Sequence, residues 1–100
     1  MNVTWSREAG ENLVDIDEFI ERDSVERAIR FVDALIDHAE TILAENPRSE
    51  RTVPEIGDTD IRELIYQGYR IVYRLNGDRI EILTVFEGHR QLRHNEPGNW

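Results

Sequence analysis

The sequence predicts an α+β domain in which an N-terminal strand and a helical hairpin pack on a small antiparallel β-sheet, in the order β-α-α-β-β-β. Three observations lead there. Two segments in the first half place apolar residues at steps of three and four, the period of a helix with one buried face. The segment from Ile61 to Phe86 instead alternates on a period of two or runs apolar, as strands do. The dipeptides Gln67-Gly68 and Asn76-Gly77 divide that segment into short pieces, and both are hairpin-turn signals. A helical hairpin offers one apolar face and a three-stranded meander needs cover on one face, so packing them together satisfies both.

Each element has its own justification. Asn2-Val3-Thr4-Trp5 is short and β-leaning, and it is expected to join the sheet. Ser6 is a helix N-cap with Glu8 in the first turn, and Ala9, Leu13, Ile16, Phe19 and Ile20 make one apolar stripe ending near Arg22. Asp23 reads as the next N-cap, with Glu26 completing a capping box. The second helix then has Ala28, Phe31, Val32, Leu35, Ala39, Ile42 and Leu43 on one face, and Glu26, Arg30, Asp33, Asp37 and Glu40 on the other. Asn46-Pro47 ends it, because the residue before proline avoids the α region. Residues 48–60 are polar and turn-rich and read as a loop. Strands are expected at 61–66, 69–75 and 79–86, the last apolar on both faces and hence central or covered. Residues 1–100 form a single domain on this reading, with 87–100 as a C-terminal tail.

Composition narrows the function classes. The chain has 100 residues, no cysteine and no apolar run of the ~20 residues a membrane helix needs, so a soluble cytoplasmic protein without disulfides or thiol chemistry is expected. Nothing suggests a cofactor or a metal site. The net charge is −9, and all 12 basic residues are arginine. Acid-rich, lysine-free composition fits a salt-adapted or GC-rich host, and it counts against non-specific nucleic-acid binding. The charge is segregated: residues 8–46 have only Arg22, Arg27 and Arg30 among many acids, whereas 62–93 hold six arginines.

Arg62, Arg70 and Arg74 lie inside strands and need explaining. Arg62 and Arg70 either pair across strands with Glu63, Glu81 or Glu87, or they line an open sheet face that meets phosphate or a carboxylate-rich partner. Glu55 beside Pro54 reads as an ordinary loop acid, and His89 as a solvated histidine of the tail.

Taken in order, Val53-Pro54-Glu55, Ile61-Arg62-Glu63-Leu64, Tyr69-Arg70-Ile71-Val72-Tyr73 and the strand from Ile82 to Arg90 resemble the RelE/ParE superfamily of type II toxin–antitoxin toxins. The resemblance covers nearly the whole chain. It implies a growth-inhibiting toxin neutralised by a cognate antitoxin, which would supply an amphipathic helix and an extended segment. Two targets are implied by the two branches. RelE-like members cut mRNA on the ribosome, and ParE-like members poison DNA gyrase.

For the nuclease branch, a metal-independent endoribonuclease, the resemblance assigns Glu55 as base, Arg70 as the phosphate contact with Arg62 beside it, His89 as acid, and Arg90 as a further phosphate contact. The chain departs from that branch in having no lysine, and in having Glu87 where many members have histidine. Gyrase poisoning needs only a complementary surface, and it is the favoured expectation. Endoribonuclease activity is the alternative, and a non-toxic member that only binds its antitoxin is a third.

Overall fold

The structure is a computed structural model that describes residues 2–88. Its elements are β1 (Asn2–Trp5), α1 (Arg7–Glu21), α2 (Val25–Glu45), β2 (Arg51–Thr52), β3 (Ile61–Tyr66), β4 (Tyr69–Asn76) and β5 (Arg79–Glu87). The strands form one five-stranded sheet in the order β1-β5-β4-β3-β2. The expected order of elements stands, with two additions. β1 runs parallel to β5, so the sheet is mixed where an antiparallel one was expected. The segment expected to be a loop contributes β2, a two-residue strand antiparallel to β3.

The helices begin at serine caps. Ser6 Oγ accepts the Ala9 amide and also donates to the Leu83 carbonyl, which ties the start of α1 to β5. The cap of α2 is Ser24, whose side chain accepts the Arg27 amide, and not the expected Asp23. The amides of Asp23 and Ser24 both return to the Ile20 carbonyl, so the chain is still leaving α1 at Asp23. Arg27 then occupies the third helical position, and the expected capping box with Glu26 does not form.

The main core lies between the helices and one sheet face. Ala9 and Ile16 of α1 and Leu35, Ala39 and Leu43 of α2 pack on Leu64, Ile71, Tyr73, Leu75, Ile80, Ile82 and Val85. Phe31 and His38 of α2 rest against Tyr66, at ring-centroid distances of 6.1 Å and 4.7 Å. The other sheet face is not bare. Val53 and Ile56 fold over Ile61, Val72, Leu83 and Phe86 to make a second, smaller core. A register shift in β5 opposite Val72/Tyr73 reverses the alternation after Leu83, so that Val85 returns to the main core and Phe86 joins the second.

The turns follow their chemistry with one displacement. Gln67 and Gly68 have φ of 49° and 86°, and they link β3 to β4 as expected. In the second hairpin Asn76 pairs with Arg79, so the loop is Gly77-Asp78, one residue later than the Asn76-Gly77 signal. Of that pair only Gly77 takes a positive φ, 65°.

Two side chains fasten the connection that leaves α2. The Tyr73 hydroxyl donates to the Pro47 carbonyl at 2.6 Å, and Arg62 donates to the carbonyls of Arg48, Glu50 and Thr59 at 2.8–3.1 Å. Burial first, and the Glu50 charge second, push the Tyr73 phenol well above its ordinary value, with Arg62 opposing. The folded chain therefore keeps a proton that the unfolded chain releases above pH ~10. Stability is expected to fall as pH rises past that point. Tyr73→Phe should cost ~1 kcal/mol at neutral pH through the lost hydrogen bond, and should flatten the alkaline decline. Urea titrations at neutral pH and above pH ~10 check this; an unchanged alkaline slope in the variant would contradict it.

Candidate functional site

Arg70 is the centre of a buried charge cluster on the sheet face opposite the helices. Its Nη1 and Nη2 donate to Glu55 Oε2 and Oε1 at 2.9 and 2.8 Å, a bidentate pair, and its Nε donates to Glu63 Oε1 at 2.6 Å. The second Glu63 oxygen, Oε2, receives the guanidinium of Arg51. The guanidinium carbon of Arg70 stands 5.0 Å from the centre of the Phe86 ring, its cross-strand neighbour. Among the described residues, two arginines and two glutamates thus alternate in sign.

The cluster is deeply placed for a charged group. Side-chain exposure is 6% for Arg70 and 0% for Glu63, rising to 18% for Glu55 and 61% for Arg51. The Glu55 hydrogen bonds, followed by the contributions of Glu63, raise the Arg70 guanidinium above its already high ordinary value, against the opposing effect of burial. Arg70 therefore stays charged at any working pH. A shallow pocket of about 370 Å³ lies at its outer end, lined by Arg51, Pro54, Glu55 and Arg70.

Local sequence explains the assembly. The two-residue turn at Gln67-Gly68 pairs Tyr66 with Tyr69, Ile65 with Arg70, Glu63 with Val72 and Arg62 with Tyr73. An even-numbered residue therefore faces an odd-numbered one across the hairpin. Arg70 shares its face with Glu63 and Ile65, and Arg62 shares the opposite face with Leu64 and Tyr66. β2 places Arg51 directly across from Glu63. The turn after Val53, closed by the Ile56 and Gly57 amides on the Val53 carbonyl, brings Glu55 back over Arg70.

The expected site residues are thus only partly assembled. Glu55 and Arg70 meet, but as partners that occupy each other. The structure corrects the expectation that Arg62 and Arg70 share an open face: Arg62 lies on the other side of the sheet, bound to loop carbonyls. Arg70 is covered, so the alternative of a cross-strand pair with Glu63 is the one observed. Arg74, the third strand arginine, stands across from Glu81. His89 and Arg90 lie outside the described residues. Arg51 was not anticipated; the signal was the match of Arg51-Thr52-Val53 to Ile61-Arg62-Glu63 as antiparallel partners of opposite charge. Among the described residues no group of His, Asp and Glu is arranged to hold a metal ion. No helix there is long and apolar enough to cross a membrane.

Two helices on one face of a five-stranded mixed sheet, with a charge cluster on the other face, make an α+β domain. A solved chain from the chromosomal ParDE toxin–antitoxin system of P. aeruginosa is similar to this one, with a TM-score of 0.74 and 19% identity over 87% of this chain and 95% of that one. A search of curated proteins returns no match. The family model for the ParE toxin of the type II toxin–antitoxin system parDE matches residues 3–92. The chain belongs to that ParE toxin family.

Removing one partner from the cluster leaves a buried charge uncompensated. Arg70→Ala is expected to destabilise the fold by about 3–5 kcal/mol, because Glu63 has no exposure with which to recover hydration. Glu55→Gln should cost less, since Glu55 sits at the rim and the amide oxygen still accepts from Arg70. Urea denaturation of both variants measures the order; equal stability of wild type and Arg70→Ala would contradict it.

Proposed function

We propose that the protein is a gyrase-directed toxin that acts by docking, without catalytic groups of its own. The observation that supports this reading is the Arg70–Glu55 pair. A general base needs a carboxylate free to take a proton, and a phosphate clamp needs a guanidinium free to donate. Here both Glu55 oxygens accept from Arg70, which donates three hydrogen bonds to Glu55 and Glu63. Two of the five residues that the nuclease reading requires, Glu55 and Arg70, are joined to each other. Arg62 is on the far side of the sheet, held by the carbonyls of residues 48, 50 and 59, and His89 and Arg90 lie outside the described residues. Membership of the ParE family points to the same target, since gyrase inhibition is the role of that family.

A cognate antitoxin is the expected partner, as in the ParDE system that the solved relative comes from. It would neutralise the toxin by covering the docking surface, a role that needs no contact with Arg70.

The experiment is to induce the protein without an antitoxin and to follow labelled thymidine and labelled methionine in parallel, alongside DNA supercoiling by purified gyrase. The expected result is an early fall in DNA synthesis with translation continuing, and loss of supercoiling in the purified system. Early arrest of translation with cleavage of ribosome-bound mRNA, abolished by Glu55→Gln in a folded variant, would overturn the reading in favour of the endoribonuclease.

A further inference from the structure

β5 loses its strand neighbour part-way along. β1 ends at Trp5, across from Ile82, and beyond that point α1 supplies the partners. The Ser6 hydroxyl donates to the Leu83 carbonyl, and Asn12 Oδ1 accepts from the Thr84 hydroxyl and the Val85 amide. From Asn12 onward, helix and strand leave a pocket of about 280 Å³ between them. Its walls include Asp15, Ile16 and Phe19 of α1, Phe86 and Glu87 of β5, and Tyr69 of β4, the cross-strand neighbour of Glu87.

The lining combines aromatic rings with negative charge. Two of the three rings already have a guanidinium beside them. The guanidinium carbon of Arg22 stands 5.6 Å from the centre of the Phe19 ring, and that of Arg70 stands 5.0 Å from the centre of Phe86. Phe19 is still 62% exposed, so more than half of its surface is open to a ligand. The charged residues of the lining are two carboxylates, Asp15 and Glu87, with no cation among them. Burial first, and the Glu87 charge second, raise the Tyr69 phenol above its ordinary value, so that charge is felt at the pocket wall. Asp15 makes no ion pair among the described residues.

An anion would meet the wrong charge here, and a neutral apolar ligand would leave the carboxylates without a partner. An ammonium suits the carboxylates but is strongly hydrated and presents no flat face to a ring. A guanidinium meets both demands, since its plane stacks on an aromatic face while its edge donates parallel hydrogen bonds to a carboxylate. We propose that this pocket binds a guanidinium group, stacked on Phe19 with its N–H edge toward Asp15. A free guanidino compound and an arginine side chain share that group. The proposal uses none of the charged residues of the Arg70 cluster as a ligand, and it stands or falls apart from the gyrase reading.

The test titrates the full chain with ethylguanidinium at millimolar, non-denaturing concentrations, with ethylurea as a planar neutral control, and follows ring and amide shifts. The expected result is saturable shifts at Phe19, Tyr69 and Glu87 with ethylguanidinium and none with ethylurea. Phe19→Leu and Asp15→Asn change exposed side chains outside the main core, so both should keep native urea stability. Each should bind ethylguanidinium at least about ten-fold more weakly (~1.4 kcal/mol). Free arginine and arginine blocked at both ends are compared in the same titration. Binding of either at the same residues supports the proposal, and the tighter form separates a small metabolite from a residue of a polypeptide. Equal binding of ethylurea, ethylguanidinium binding unchanged in both variants, or the absence of any saturable shift would each overturn the proposal.

Discussion

A guanidinium that has left water must be surrounded by acceptors, and Arg70 meets that constraint with two carboxylates from separate parts of the chain. Glu63 comes from the neighbouring strand and Glu55 from a turn with little secondary structure of its own. The pair with Glu55 therefore does more than cancel charge. It holds the segment from Val53 to Ile56 over the sheet face that the helices leave uncovered, and so closes the second apolar cluster around Val72, Leu83 and Phe86. Isolated surface pairs contribute little, but this one is bidentate and mostly desolvated, and its loss would leave the buried Arg70 with fewer acceptors.

That segment covers part of one sheet face, and the helices cover the other. The helix-side face has its own fastening in Tyr73 and Arg62, cross-strand neighbours that bind the carbonyls of the connection between α2 and β2. Both arginines that looked available in the sequence are thus consumed in holding loops to the sheet. The exposed large apolar side chains of the described residues are Val14, Phe19, Val25 and Ile29 on the helical hairpin and Ile65 on β3.

Much of the fold was legible because local signals and packing agree. The stripe from Ala9 to Ile20 and the alternation from Tyr69 to Leu75 are long enough to fix an element and its buried side. Asp23 and Ser24 are both good caps, and only the return of their amides to Ile20 selects the serine. β2 is a strand only because β3 is beside it, so two residues in isolation give no periodicity to read. The placement of Arg62 and Arg70 could have been counted: a two-residue turn inverts parity across the hairpin, so two even-numbered residues flanking it fall on opposite faces. Whether Arg70 was open or covered could not be counted. That depended on the turn at Pro54-Glu55 folding back, a tertiary event with no local signature.

The central claim is that Arg70 is an internal fastening and not a contact or catalytic group. The most direct measurement is growth arrest by a Glu63→Gln/Arg70→Met double variant, with folding checked by circular dichroism and near-native urea stability. Removing both partners avoids the stranded buried charge that either single change creates. The account predicts that the folded double variant still arrests growth. Complete loss of toxicity in a variant of native fold and stability would contradict it, and would return Arg70 to the active surface.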